Sequence, residues 1–176
     1  MAKKVYQIKA TIVDIKPPIW RRVVISDSAS LQTLHLVLQR AFGWIDCHLH
    51  EFEVDGVTYG STDGEDWGVK VKSEVRARVG SVLKEGMTLG YMYDFGDGWR
   101  HRLVVEKVSD PDPGTRYPVC LAGRRACPPE NCGGPRGYQG LLEAISDPSH
   151  PEHDDMLEWI GSGFDPEVFD PSEFNS

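Results

Sequence analysis

The sequence predicts an α+β fold: a mainly antiparallel sheet, one packed helix after the first two strands, and a C-terminal helical segment. Two observations predict it. Segments that alternate apolar and polar residues, joined by short turns, dominate residues 1–109. Apolar residues at helical spacing occur once within that region and again beyond residue 137. A run of strands followed by helices indicates α+β, not the alternating elements of a doubly wound sheet.

Each element has its own justification. "VYQIKATIV" alternates as a half-buried strand does, and Pro17-Pro18 ends it because proline cannot donate to a sheet ladder. "IWRRVVIS" is the returning strand. Ser30 suits a helix N-cap, Leu31, Leu34, Leu38 and Ala41 form the apolar stripe, and Gly43 is the stop. "HLHEFEVDGVTYG" predicts two short strands about an Asp55-Gly56 turn. "STDGEDWG" has loop composition, and "KVKSEVRARVG" is open between strand and coil. "MTLGYMYDF" and "WRHRLVVEKV" pair around "GDG". Tyr138, Leu141, Leu142 and Ile145 form one helical face; a second helix over 149–161 docks by Met156, Leu157 and Ile160. The expected organisation is a single domain over 1–176: a sheet-plus-helix core (1–109), a Pro/Gly/Cys-rich loop (110–136) and C-terminal helices (137–170). Its opening strand–strand–helix–strand order is β-grasp-like, a likeness of fold without functional content.

No apolar run approaches the roughly 20 residues of a membrane span, and "MAKKVYQIKA" lacks the apolar block of a signal peptide. The expectation is a cytoplasmic protein without membrane association, in which structural disulfides are disfavoured. The net charge of −8 is uneven. Residues 1–45 hold seven Lys/Arg against two Asp/Glu, whereas 146–176 hold nine Asp/Glu and no Lys or Arg. The acidic end repels phosphate backbones, which disfavours nucleic acid except locally at the basic N-terminal face of Lys3, Lys4, Lys9, Arg21 and Arg22.

Three stretches carry candidate chemistry. In "CLAGRRACPPENCGGPRGYQG", Cys127 and Cys132 stand at the long end of zinc-knuckle spacing, and Cys120 lies seven positions before Cys127. A zinc site of Cys120, Cys127, Cys132 and His101 is one reading; a buried thiol cluster on a proline-stiffened loop is another, and redox chemistry a third. In "YDFGDGWRH", Asp94, Asp97 and His101 could set a carboxylate beside an imidazole, or simply form a hairpin turn with Trp99 as core anchor. In "CHLHEF", an extended strand puts His48 and His50 on one face, where with His101 they could bind a divalent metal; the alternative is a structural role. The phosphate loop, the dinucleotide glycine turn and the nucleophile elbow are absent from the sequence.

"IWRRVVI", "LHLVLQRAFGWIDCHLHEF", "YDFGDGWRH" and "CPPENCGGPRGYQGLLEAISDPSHPEHDDMLEWIG" together resemble the plasmid pRiA4b ORF-3-like family, from about Tyr6 to Phe169. Members recur on plasmids and beside insertion elements, so the resemblance implies a mobile-element accessory protein and brings no activity with it. Three functions follow as expectations. The first is a binding module for a protein or peptide partner, captured by strand addition at a sheet edge. The second is a metal-dependent hydrolase or nuclease using His48, His50, Asp94, Asp97 and His101. The third is specific DNA binding through the basic N-terminal face.

Overall fold

The computed structural model describes residues 3–62 and 70–176. One eight-stranded sheet organises them. Its strands are β1 (Val5–Ile12), β2 (Trp20–Ser26), β3 (His50–Val54), β4 (Val57–Gly60), β5 (Lys72–Ser73), β6 (Thr88–Tyr93), β7 (Trp99–Ser109) and β8 (Val119–Arg124). The order across the sheet is β5-β4-β3-β6-β7-β1-β2-β8, and only β4 and β5 run parallel. The helices are α1 (Leu31–Phe42), α2 (Val79–Val82), α3 (Gly134–Ser146), α4 (His153–Ile160) and α5 (Ser172–Asn175). Among the described residues no helix is long and apolar enough to cross a membrane.

Local chemistry accounts for the first elements. The Ser30 hydroxyl accepts a hydrogen bond from Thr33 N at 3.0 Å, which caps α1, and Gly43 closes the helix by donating to Gln39 O. Leu31, Leu34, Val37, Leu38, Ala41 and Phe42 are buried against the sheet. Asp55 and Gly56 both take positive φ (48° and 74°), the backbone a two-residue hairpin between β3 and β4 requires.

Register then fixes what faces the core. Phe52, Tyr91, His101 and Ile12 form one row across β3, β6, β7 and β1, and all four are buried on the core face. Trp99, His101, Leu103 and Val105 alternate onto that face along β7. The opposite row, Glu53, Gly90, Arg102 and Thr11, lies on the open face, as one-sided antiparallel sheets allow.

The structure corrects several expectations. The 110–136 segment is not loop throughout: β8 lies within it, held to β2 by ladder pairs such as Val23 with Cys120. The proline and glycine content hid a six-residue edge strand whose pairing is long-range. α3 starts at Gly134, three residues before the expected boundary, with Pro135 in its first turn. The helix expected over 149–161 is the shorter α4. Met156 and Ile160 pack toward the core, but Leu157 is 43% exposed. The ambiguous stretch resolves into β5 and the single turn α2. The loop expected over 61–68 falls mostly outside the described residues. β3 does not return beside β1, since β6 and β7 stand between them, so the β-grasp likeness ends at element order.

Candidate functional site

Polar groups gather at one end of the sheet, where the loop after α1 meets the end of β6 and the loop before α3. The loop is pinned residue by residue. Trp44 Nε1 donates to Pro128 O (3.0 Å), Ile45 N to Glu130 Oε1 (3.0 Å), Asp46 N to Gln39 Oε1 (2.9 Å) and Cys47 N to Tyr93 OH (3.2 Å). The Tyr93 hydroxyl donates in turn to Glu130 Oε1 at 2.9 Å. Burial and this bond to a carboxylate raise the Tyr93 pKa far above its ordinary value, so the phenol stays a donor.

Within this frame His48 Nε2 lies 3.5 Å from Asp94 Oδ2 and 3.8 Å from Glu130 Oε2. Both separations exceed hydrogen-bond length. His48 Nε2 and Glu130 Oε2 are buried atoms without a hydrogen-bond partner. Cys47, His48 and Glu130 each offer a donor atom within 4.8 Å of the other two. Asp94 is held in place, its Oδ1 accepting from Gly96 N (2.9 Å) and Asp97 N (3.3 Å). Asp97 turns elsewhere: its Oδ2 accepts from Gly133 N and ties the turn to the start of α3.

A second cluster lies behind it. The His35 and His50 rings stack at 3.4 Å with an interplanar angle of 3°. His50 Nε2 meets Glu74 Oε2 at 2.8 Å, and His35 Nε2 meets Asp46 Oδ1 at 2.7 Å. The Asp46 carboxylate accepts, so His35 Nε2 carries the proton, and in the neutral ring Nδ1 accepts from Tyr91 OH at 2.8 Å while Gln39 Nε2 donates to that hydroxyl. Burial, and then the neighbouring His50, lower the His35 pKa, in keeping with this neutral tautomer. His35, Asp46 and His50 offer three donors within 4.8 Å, yet parallel stacked imidazoles send their in-plane lone pairs side by side and not toward one ion. This cluster is a positioning device: it holds Asp46, the neighbour of Cys47 and His48.

The expected ligands divide. His48 and Asp94 come together; His50 joins His35 instead, and Asp97 serves the turn. His101 is in the core, its Nδ1 on Trp99 O (2.9 Å) and its ring against Phe42, Trp44 and Tyr91. No three of Cys120, Cys127, Cys132 and His101 bring donor atoms within 4.8 Å of one another. Cys120 sits on β8, and Cys127 and Cys132 pack half-buried against the core. Burial pushes the Cys132 thiol up to about 12 and the Cys127 thiol well above its ordinary value, which disfavours thiolate chemistry. Glu130, Tyr93, His35, Asp46 and Glu74 were not singled out by sequence reasoning. The contiguous "DCHLH" was the available signal; nothing in spacing points to Glu130.

The basic N-terminal face also disperses. Arg21 is buried between the Phe42 and Phe169 rings and donates to Ala41 O, Trp20 O and Arg124 O. Burial lowers its pKa to about 10. Arg22 pairs with Glu106 (2.6 Å) and Lys4 with Asp110 (2.7 Å).

Burial lowers the His101 pKa from 6.5 to about 4. The unfolded chain therefore takes up this proton first as pH falls. Stability from the neutral ring is complete above about pH 6.5 and declines down to about pH 4, by roughly 3 kcal/mol in all. His35, also held down, acts in the same direction. Urea midpoints at pH 7.5 and 4.5 are expected to lie closer together in His101→Leu than in the native chain. An unchanged difference would refute the assignment.

Fold and site together define an α+β protein with a one-sided, mainly antiparallel sheet and a partly exposed His/Cys/carboxylate cluster at its end. The chain belongs to the plasmid pRiA4b ORF-3-like protein family, whose profile matches residues 4–173. It is 41% identical over 167 residues to the uncharacterized protein y4hQ of Sinorhizobium fredii, covering 92% of this chain and 84% of that one. It also resembles the crystal structure of a protein of unknown function, MM3350 from Methanosarcina mazei Go1. There the TM-score is 0.90 and the identity 37%, with 98% of each chain covered.

Proposed function

We propose that the protein is an accessory binding module whose ligand site is the loop surface around His48, Asp94 and Glu130. The observation that carries this reading is a set of exposed apolar side chains on the same loops as an unsatisfied polar centre. Ile45 (75% exposed), Leu49 (69%) and Phe95 (52%) adjoin the cluster residues in sequence, and each is large, apolar and open to solvent. Ile45 N donates to Glu130 and Asp94 N donates to Leu49 O, so the backbone that carries these apolar residues is tied to the polar centre. Apolar walls with a few convergent polar groups are the usual anatomy of a binding site. A peptide with an apolar side chain is the partner chemistry that fits.

Strand addition has less support. The β8 edge is occupied by the chain's own end: Cys120 N donates to Asn175 Oδ1 and Asn175 Nδ2 donates to Cys120 O, both at 2.9 Å. The opposite edge strand, β5, has two residues. The DNA reading loses Arg21 to the core and meets Lys4 and Arg22 already paired. Metal-dependent hydrolysis is a second reading, favoured by the unpartnered His48 and Glu130 atoms. Zinc-stimulated ester hydrolysis that disappears in Glu130→Gln is its test.

The peptide site itself is tested by heteronuclear NMR titration with a leucine-centred hexapeptide. Saturable shifts are expected at the Cys47, His48, Leu49 and Phe95 amides. They should vanish in Leu49→Ser/Phe95→Ser, whose thermal midpoint should stay near the native value because both side chains are exposed. Shifts confined to β8 or to the N-terminal face would overturn the reading.

A further inference from the structure

We propose that Cys47, His48 and Glu130 bind a zinc-class divalent ion, with Asp94 beside its remaining position. This names an ion for the site proposed above and rests on that reading for its setting, though its test stands apart.

The argument starts from two atoms that fail to find partners. A buried imidazole nitrogen and a buried carboxylate oxygen each lose solvation, and leaving them unpaired is costly. His48 Nε2 and Glu130 Oε2 are both in this position and lie 3.8 Å apart. That gap is too wide for a hydrogen bond and close to the separation of two ligands on one ion. Zinc bonds of about 2.0–2.3 Å in a tetrahedron place neighbouring donors about 3.3–3.7 Å apart. Asp94 Oδ2 stands 3.5 Å from the same nitrogen. Cys47 adds sulfur within the same 4.8 Å circle. Its Sγ makes a 3.8 Å approach to Tyr93 OH, which a metal would readily replace.

Donor type selects the metal. Sulfur, imidazole nitrogen and carboxylate oxygen together suit zinc and its neighbours, whereas magnesium and calcium take oxygen sets. The outer shell is already built. Tyr93 OH donates to Glu130 Oε1, which leaves Oε2 as the free donor, and backbone amides fix Asp94 Oδ1, which leaves its Oδ2 facing His48. Gln39 and His35 hold Asp46 on the ligand loop by its amide and its carboxylate. Three protein ligands leave the fourth corner of a tetrahedral ion for water, and Asp94 is placed to accept a hydrogen bond from it.

Zinc titration of the tag-free full chain, followed by cobalt substitution, tests the site. About one equivalent of zinc should bind. Loss of an outer-shell partner alone costs about 10–100-fold in affinity, so His48→Ala and Glu130→Gln should each weaken binding at least that far. Glu130→Gln is nearly isosteric and keeps the result readable if His48→Ala unfolds. The cobalt form should show a near-ultraviolet sulfur-to-cobalt band that Cys47→Ser abolishes. Cys127→Ser and Cys132→Ser should bind as the native chain does. Failure of the native chain to bind zinc, native-like affinity in Glu130→Gln, absence of the sulfur band, or loss of binding in the Cys127 or Cys132 variants would overturn the proposal. Zinc failure with peptide shifts intact at Leu49 and Phe95 removes the ion and leaves the peptide site; zinc binding without those shifts removes the peptide reading alone.

Discussion

Gly137→Ala is expected to destabilise the protein by about 3 kcal/mol, the upper end of typical overpacking costs. The cause is a close backbone approach. A Cβ on Gly137 would overlap the Cys132 carbonyl oxygen and crowd its carbon, and neither is the tip of a flexible side chain. Gly137 N also donates to Gly133 O at 3.2 Å, so the first turn of α3 folds directly over this loop. Moving the helix away to admit the methyl would disturb the ties at Glu130 and at Asp97, whose carboxylate accepts from Gly133 N. Thermal unfolding should show a drop of roughly 6–12 °C for a chain of this size. Gly140→Ala is the internal control, because its added Cβ meets nothing within 4 Å and φ is ordinary. It should be neutral or slightly stabilising, since alanine is the better helix former. Equal losses at both positions would show that the helix, not the contact, sets the cost.

Leu34→Ala is expected to cost about 2–5 kcal/mol. Leu34 is completely buried on the face of α1 turned to the sheet, in the same cluster as Leu38, Tyr91 and Leu103. Truncation removes transfer energy and leaves a cavity that a helix held at both ends can close only in part. The same substitution at Leu36, which is exposed on α1, should change stability by less than about 0.5 kcal/mol. Urea denaturation with a common slope distinguishes them. A near-zero loss at Leu34 would mean that α1 does not seal the core.

Much of the fold was legible because its causes are local. Alternation marks β1, β2, β6 and β7, and the Ser30 and Gly43 caps mark α1, since each signal acts over a few residues. His101 was legible too. Read with period two, "WRHRLVV" places it on the face of Trp99, Leu103 and Val105, inside the core, although its residue type and the aspartates of the neighbouring turn suggest a ligand. β8 was not legible, because "VCLAGR" has little strand propensity and is a strand through its partner β2.

The sequence by itself determined the fold class, the family, the position of α1 and the presence of His48 and Asp94 among the polar candidates. Only the tertiary structure decided which of them meet. His48, Asp94 and Glu130 lie on three loops, and no period links those positions. Sheet register brings β3 beside β6, the Pro128–Glu130 stretch closes over Trp44, and hydrogen bonds to Tyr93 and Gln39 set the final ångströms. The same register sent His101 into the core and Arg21 beneath α1, away from the roles their chemistry suggested. Residue type limits what a side chain can do. Burial and neighbours, which depend on contacts distant in the chain, decide whether it has anything to do it with.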